Sequence, residues 1–98
     1  MKEPVTMPLE GLAEELYASI LCYPSCTKEE LQHRLQKLEI LGVSAVEFSG
    51  KANAFNVPVL GKGYVGIVVT VQRYGQRMAL KIRRVDADRV DLYQEARE

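Results

Sequence analysis

Five residues constrain the fold more than any others. Ile67-Val-Val-Thr-Val71 follows directly on Gly66, the last of three closely spaced glycines in the stretch VLGKGYVGIVVTV, residues 59–71. Four of the five are aliphatic and β-branched, stiff at χ1, and such a run disfavours a helix start and favours a pleated strand. Two devices that bind nucleotides with glycines are thereby excluded. A dinucleotide-binding fold needs a helix straight after G-x-G-x-x-G, so that the helix N-terminus holds the pyrophosphate. A Walker-type loop needs Gly-Lys followed by Ser or Thr, whereas here Lys62-Gly63 is followed by Tyr64. A third device remains, a β-hairpin whose glycine tip folds over phosphates, with a lysine on the next antiparallel strand.

The surrounding text supplies strands in the required order. FNVPVL leads into the glycines, VGIVVTVQR leaves them, and RMALKIRRV follows a turn at Tyr74-Gly75. That turn lacks Asn-Gly, so a connection of three to five residues with Gly75 at positive φ is expected. Gly61-x-Gly63-x-x-Gly66-x-Val68 and Ala79-Leu80-Lys81 then stand on two strands that can face each other.

The N-terminal half reads as helical. Leu9, Leu12, Leu16 and Ile20 recur at helical spacing over residues 8–22, with Pro8 suited to the first turn and Gly11 weakening it. Thr27 and Glu30 form a capping box for a second helix over residues 27–41, striped by Leu31, Leu35, Leu38 and Leu41 and ended by Gly42. VSAVEF, residues 43–48, alternates as a strand, and residues 49–53 read as loop. A last helix is expected from Asp86 or Asp88 onward, with Val90, Leu92, Tyr93 and Ala96 as its apolar positions. The fold class is therefore α+β: a helical hairpin in residues 1–50, then an antiparallel sheet and a C-terminal helix in residues 51–98.

Composition removes several function classes. The 98-residue chain carries 13 basic and 13 acidic residues, so no global excess of charge points to nucleic acid or an anionic membrane. No apolar run reaches the roughly 18 residues of a membrane span, and no export signal is visible, so a cytoplasmic location is expected. Cys22 and Cys26 then stand as thiols. With His33 they make three ligands where a structural zinc site wants four, and they read as packing residues with no metal. The second helix sets Lys28, Arg34 and Lys37 against Glu29, Glu30 and Glu39, a net charge of zero that speaks against a DNA-reading helix. Arg83, Arg84 and Arg89 face Asp86, Asp88 and Asp91 in sequence and read as a solvated surface.

Residues 57–95 resemble the N-terminal lobe of protein kinases, through the pattern G-x-G-x-x-G-x-V of Gly61 to Val68 and the A-x-K of Ala79 to Lys81. The resemblance implies ATP binding. Gly61, Gly63 and Gly66, with Lys62 and Tyr64 between them, would let main-chain N–H groups approach the phosphates. Leu60, Val68 and Ala79 would pack on adenine. Lys81 would hold the α/β-phosphates and pair with a glutamate on the next helix, for which Glu95 is the best match and Asp88, Asp91 and Glu98 are the alternatives. The short link from Lys81 to Glu95 and the phrase Tyr93-Gln-Glu-Ala-Arg97 look like the RIO-type serine/threonine kinases, whose relatives carry an N-terminal helix-turn-helix or winged helix.

Nothing in the 98 residues resembles the catalytic loop H-R-D-x-x-x-x-N or the D-F-G segment that hold the base and Mg²⁺. The resemblance thus implies the ATP-binding N-terminal part of a longer kinase acting on a protein hydroxyl, inactive by itself and missing its C-terminal lobe. An incomplete sheet implies an uncovered edge and self-association of this chain. The alternative from another class is a non-catalytic interaction or nucleic-acid-binding module with a kinase-like hairpin.

Overall fold

A computed structural model describes residues 4–23, 26–64, 66–84 and 90–94. In chain order these form β1 (Val5–Pro8), a 3₁₀ helix (Leu9–Ala13), α1 (Glu15–Leu21), α2 (Lys28–Ile40), β2 (Val43–Phe48), β3 (Ala52–Ala54), β4 (Val57–Val59), β5 (Gly61–Lys62), β6 (Gly66–Arg73), β7 (Gln76–Arg83) and β8 (Val90–Gln94). The architecture is α+β, with two helices and an antiparallel sheet, as the alternating and helical patterns require.

The sheet runs β1-β2-β6-β7-β8, and β5 pairs with β6 beyond the end of β2. β2 meets residues 70–73 of β6, whereas β5 meets Ile67 and Val68, so the two share one edge of β6 and β7 occupies the other. β3 and β4 form a separate hairpin. Alternation along β6 and β7 sends Ile67, Val69, Val71, Leu80 and Ile82 to one face. There they join Leu12, Ile20, Leu21, Leu38, Val46 and Phe48 in one buried cluster, with Phe48 stacked on Tyr17 at 4.7 Å between ring centroids. The core therefore runs across residue 50, and the two halves expected on either side of that position share one sheet and one interior.

Local chemistry explains the better-read elements. Thr27 accepts a hydrogen bond from the Glu30 N–H at 3.1 Å and starts α2; removing such a cap typically costs about 1 kcal/mol. Gly42 closes the helix at φ +86°, and the Arg73 guanidinium donates to the Leu41 carbonyl at its end.

Several expectations are corrected. The helix expected over residues 8–22 divides: Val5–Pro8 is an edge strand on β2, a 3₁₀ turn follows, and α1 begins only at Glu15. Proline is tolerated on an edge strand, where one N–H faces no partner strand. The loop expected over residues 49–53 ends in strand β3. Gly75 takes φ +77°, but the β6–β7 turn holds only Tyr74 and Gly75, with Arg73 directly opposite Gln76. A two-residue turn of type I′ has φ > 0 at both positions, and Tyr74 supplies the other at +51°.

The C-terminal helix is not what residues 90–94 form. They are strand β8, paired with β7 from Met78 to Ile82. Val-Asp-Leu-Tyr-Gln fits a period of two as well as one of 3.6, and the open hydrogen-bonding edge of β7 decides between them. The rest of the expected helix, including Glu95, lies outside the described residues. Arg34 also departs from its reading as a surface charge of α2. It is 1% exposed, and its Nη2 donates to the Arg84 carbonyl at 3.3 Å.

Candidate functional site

The glycine stretch folds back on itself as strand on both sides. The Leu60 N–H donates to the Val68 carbonyl and the Gly63 N–H to the Gly66 carbonyl, both at 2.9 Å, so the hairpin is tied above and below β5. The β-branched run after Gly66 cannot begin a helix cheaply and instead pairs along its whole length with β7. The result is a register row across four strands: Gly61, Val68, Lys81 and Asp91 stand opposite one another. Because side chains alternate, Val68, Thr70, Ala79 and Lys81 share the sheet face away from the main core.

Gly61, Lys62, Gly63, Tyr64, Gly66, Val68 and Lys81 surround one depression of about 310 Å³. Seven of the residues singled out from sequence thus meet in one place. Leu60, 38% exposed between β4 and β5, and Ala79 of β7 are not among the residues that line it. Among its described lining residues are two lysines and no carboxylate, and their field favours an anion. Among the carboxylates weighed as partners of Lys81, Asp91 holds the register position directly across from it; Asp88, Glu95 and Glu98 lie outside the described residues.

The three glycines differ in what the fold asks of them. A Cβ at Gly66 would lie 2.3 Å from the Ile82 carbonyl oxygen, so β6 and β7 approach there only because the side chain is absent. Among the described residues, a Cβ at Gly63 would meet nothing within 4 Å. Packing requires the last glycine of the motif and leaves the middle one free for another purpose.

Two neighbours of the depression carried no signal in the sequence. Phe55, at the tip of the β3–β4 hairpin, is held at φ +52°, a region that bulky residues rarely occupy. Its ring lies 5.8 Å from the Lys62 ammonium and 5.9 Å from the Tyr23 ring. Lys62 is therefore drawn toward an aromatic face beside the glycine tip. Thr70 is fully buried one position beyond Val68 on the same face, and its Oγ1 has no partner among the described residues. The alternation from Val68 is the signal that would have placed it.

The cysteines stand apart from this site. Cys22 is buried in the core and Cys26 is exposed, while His33 is on the outer face of α2. Burial, then the hydrogen bond that the Cys22 thiol makes to the neighbouring Cys26, pushes the Cys22 thiol from its ordinary 9.0 up to about 12. A folded value above the unfolded one means that the neutral thiol favours folding below pH 9.0 and that this contribution is lost as pH rises toward 12. The melting temperature of the wild type should accordingly fall more steeply than that of Cys22→Ala as pH rises from 9.0 toward about 12. Parallel curves would show that the thiol is not held neutral by the fold.

Among the described residues no three histidine, cysteine or carboxylate side chains gather as a metal site, and no helix is long and apolar enough to cross a membrane. Comparison with protein-family models, with curated proteins and with solved structures gave no match.

Proposed function

We propose that this chain binds ATP as the N-terminal lobe portion of a RIO-like serine/threonine protein kinase, which in the whole enzyme passes the γ-phosphate to a protein hydroxyl in a cytoplasmic setting. The observation that carries the reading is the glycine-lined depression, whose described lining includes Lys62 and Lys81 around a hairpin tip that bears no side chain at Gly61 and Gly63. Phosphate recognition needs this combination: close approach to backbone, and ammonium groups that donate to oxygens. Val68 lines the same hollow and offers an apolar surface to a base.

In this reading Lys81 holds the α/β-phosphates, Lys62 meets the outer phosphates, and Asp91 or Glu95 orients Lys81. Ala79 and Leu60 extend the apolar wall toward adenine. Mg²⁺ supplies charge neutralisation when bound with the nucleotide, and none of the roles given to these side chains passes through it. Half a cleft positions a nucleotide without transferring its phosphate, so the chain alone is inactive.

Calorimetric titration of the full chain tests the reading. A charge-assisted hydrogen bond contributes roughly 1.5–3 kcal/mol, so ATP should bind at least about tenfold more tightly than adenosine, and Lys81→Ala should remove that advantage. Adenosine affinity should stay unchanged in the variant. Equal ATP affinity in wild type and Lys81→Ala, or no ATP binding at all, overturns the assignment.

A further inference from the structure

The 3₁₀ helix and α2 leave a second hollow between them, about 490 Å³ in volume, lined by Leu9, Glu10, Gln32, Leu35, Gln36 and Glu39. On α2 the last four fall at i, i+3, i+4 and i+7, so they form one continuous face. Leu9 and Leu35 are packed against the core from behind, which fixes the floor before anything binds. The exposed carboxylates of Glu10 and Glu39 belong to the rim, and no lysine or arginine is among the described lining residues. A chain of zero net charge thus concentrates negative charge around an apolar floor. Ile40, 79% exposed, follows Gln36 by four residues and prolongs the same row.

The geometry points to a docking groove for a lysine- or arginine-rich amphipathic helix of another protein. A groove of this kind takes apolar anchors at i and i+3 or i+4 from a helix laid along it. Here a pair of aliphatic anchors sits on Leu9 and Leu35, flanking cations face Glu10 and Glu39, and the amides of Gln32 and Gln36 serve the polar edge. Polynucleotide is the wrong sign for this rim. A second copy of the chain offers no surplus of positive charge on its described helices: α1 has no basic residue, and on α2 Lys28 and Lys37 are offset by Glu29, Glu30 and Glu39 while Arg34 is buried. The inference is independent of nucleotide binding, since the groove and the glycine hairpin share no residue.

The probe is a synthetic amphipathic helix of about five turns, leucine on one face and lysine on its flanks, with a counterpart in which every lysine is glutamate. Amide shifts of the full chain should move at Leu9, Glu10, Gln32, Leu35, Gln36 and Glu39 with the lysine peptide. The double variant E10K/E39K should weaken that peptide about tenfold or more and should gain affinity for the glutamate peptide, as rim charges set partner choice. Both sites are solvent-exposed, so melting should be unchanged, and Gln36→Lys serves as a second variant with the same expected sign. No binding of the lysine peptide, shifts confined to the glycine hairpin, or undiminished affinity in both variants overturns the proposal. So does a wild-type dimer that E10K/E39K dissociates, or shifts of these same amides with oligothymidylate.

Discussion

Gly66→Ala unfolds the chain at a temperature on the order of 15 °C below that of the wild type. The added Cβ would lie 2.3 Å from the Ile82 carbonyl oxygen and 2.9 Å from the Arg83 Cα. Both obstacles are backbone, and no side-chain rotation relieves them. Gly66 and Arg83 are register partners at one end of the longest strand pair, so relief means parting β6 from β7 where they enter the sheet. Forced overpacking costs typically 1–3 kcal/mol, and backbone obstacles belong at the upper end, about 3 kcal/mol. For a domain near this size each kcal/mol moves the midpoint by roughly 4–8 °C. Gly61→Ala is the matched control, because its Cβ would meet Val68 Cβ at an ordinary 3.9 Å. Scanning calorimetry should show Gly61→Ala within a few degrees of wild type and Gly66→Ala far below it. Equal midpoints would mean that the two strands do not approach as closely as described.

Elements whose causes are local were legible in the sequence, and those decided by pairing were not. α2 needs only Thr27, its leucine stripe and Gly42, all adjacent in the chain, and its bounds follow from them. β2 and β6 carry enough β-branched side chains to exclude a helix without reference to any partner. β1 and β8 are edge strands, and each exists because an unpaired edge was waiting: β2 for Val5–Pro8, β7 for Val90–Gln94. Their sequences fit more than one period, so tertiary pairing chose. The β6–β7 turn is similar in kind, since nothing about Tyr74 announces a left-handed backbone.

The candidate site divides along the same line. Gly61 to Val68 and Lys81 come together because strand alternation and one hairpin are enough to bring them, and both were readable. Phe55 beside Lys62 depends on how a second hairpin is seated against the first, which no spacing encodes. Arg34 reads in the sequence as one of the charges that balance on α2, although its i+4 neighbour Leu38 and i−3 neighbour Leu31 belong to the leucine stripe. It is buried because Arg84, fifty residues away, brings a carbonyl to it.

Gly63→Val separates the purpose of the hairpin tip from the stability of the fold. Valine is conformationally acceptable there, because Gly63 is not at positive φ, and its Cβ would find open space. Replacing glycine also narrows the unfolded ensemble, an effect of about 0.4–1 kcal/mol in favour of the folded state where the backbone tolerates it. Melting should therefore stay level or rise slightly. Nucleotide binding should move the other way. The Gly63 N–H is already committed to the Gly66 carbonyl, so a ligand gains from this glycine through the bare surface it leaves over Lys62 and Lys81. Two methyl groups placed there fill the depression and hold phosphate oxygens away from the lysines that line it. Losing one or two charge-assisted hydrogen bonds, roughly 1.5–3 kcal/mol each, predicts a fall in ATP affinity of roughly a hundredfold. Adenosine, which has no phosphate to exclude, should bind as it does to the wild type. If valine at this position lowers stability, the tip is a packing element and the open space above it has been misjudged. If stability holds and ATP still binds with full affinity, the depression is not where its phosphates go.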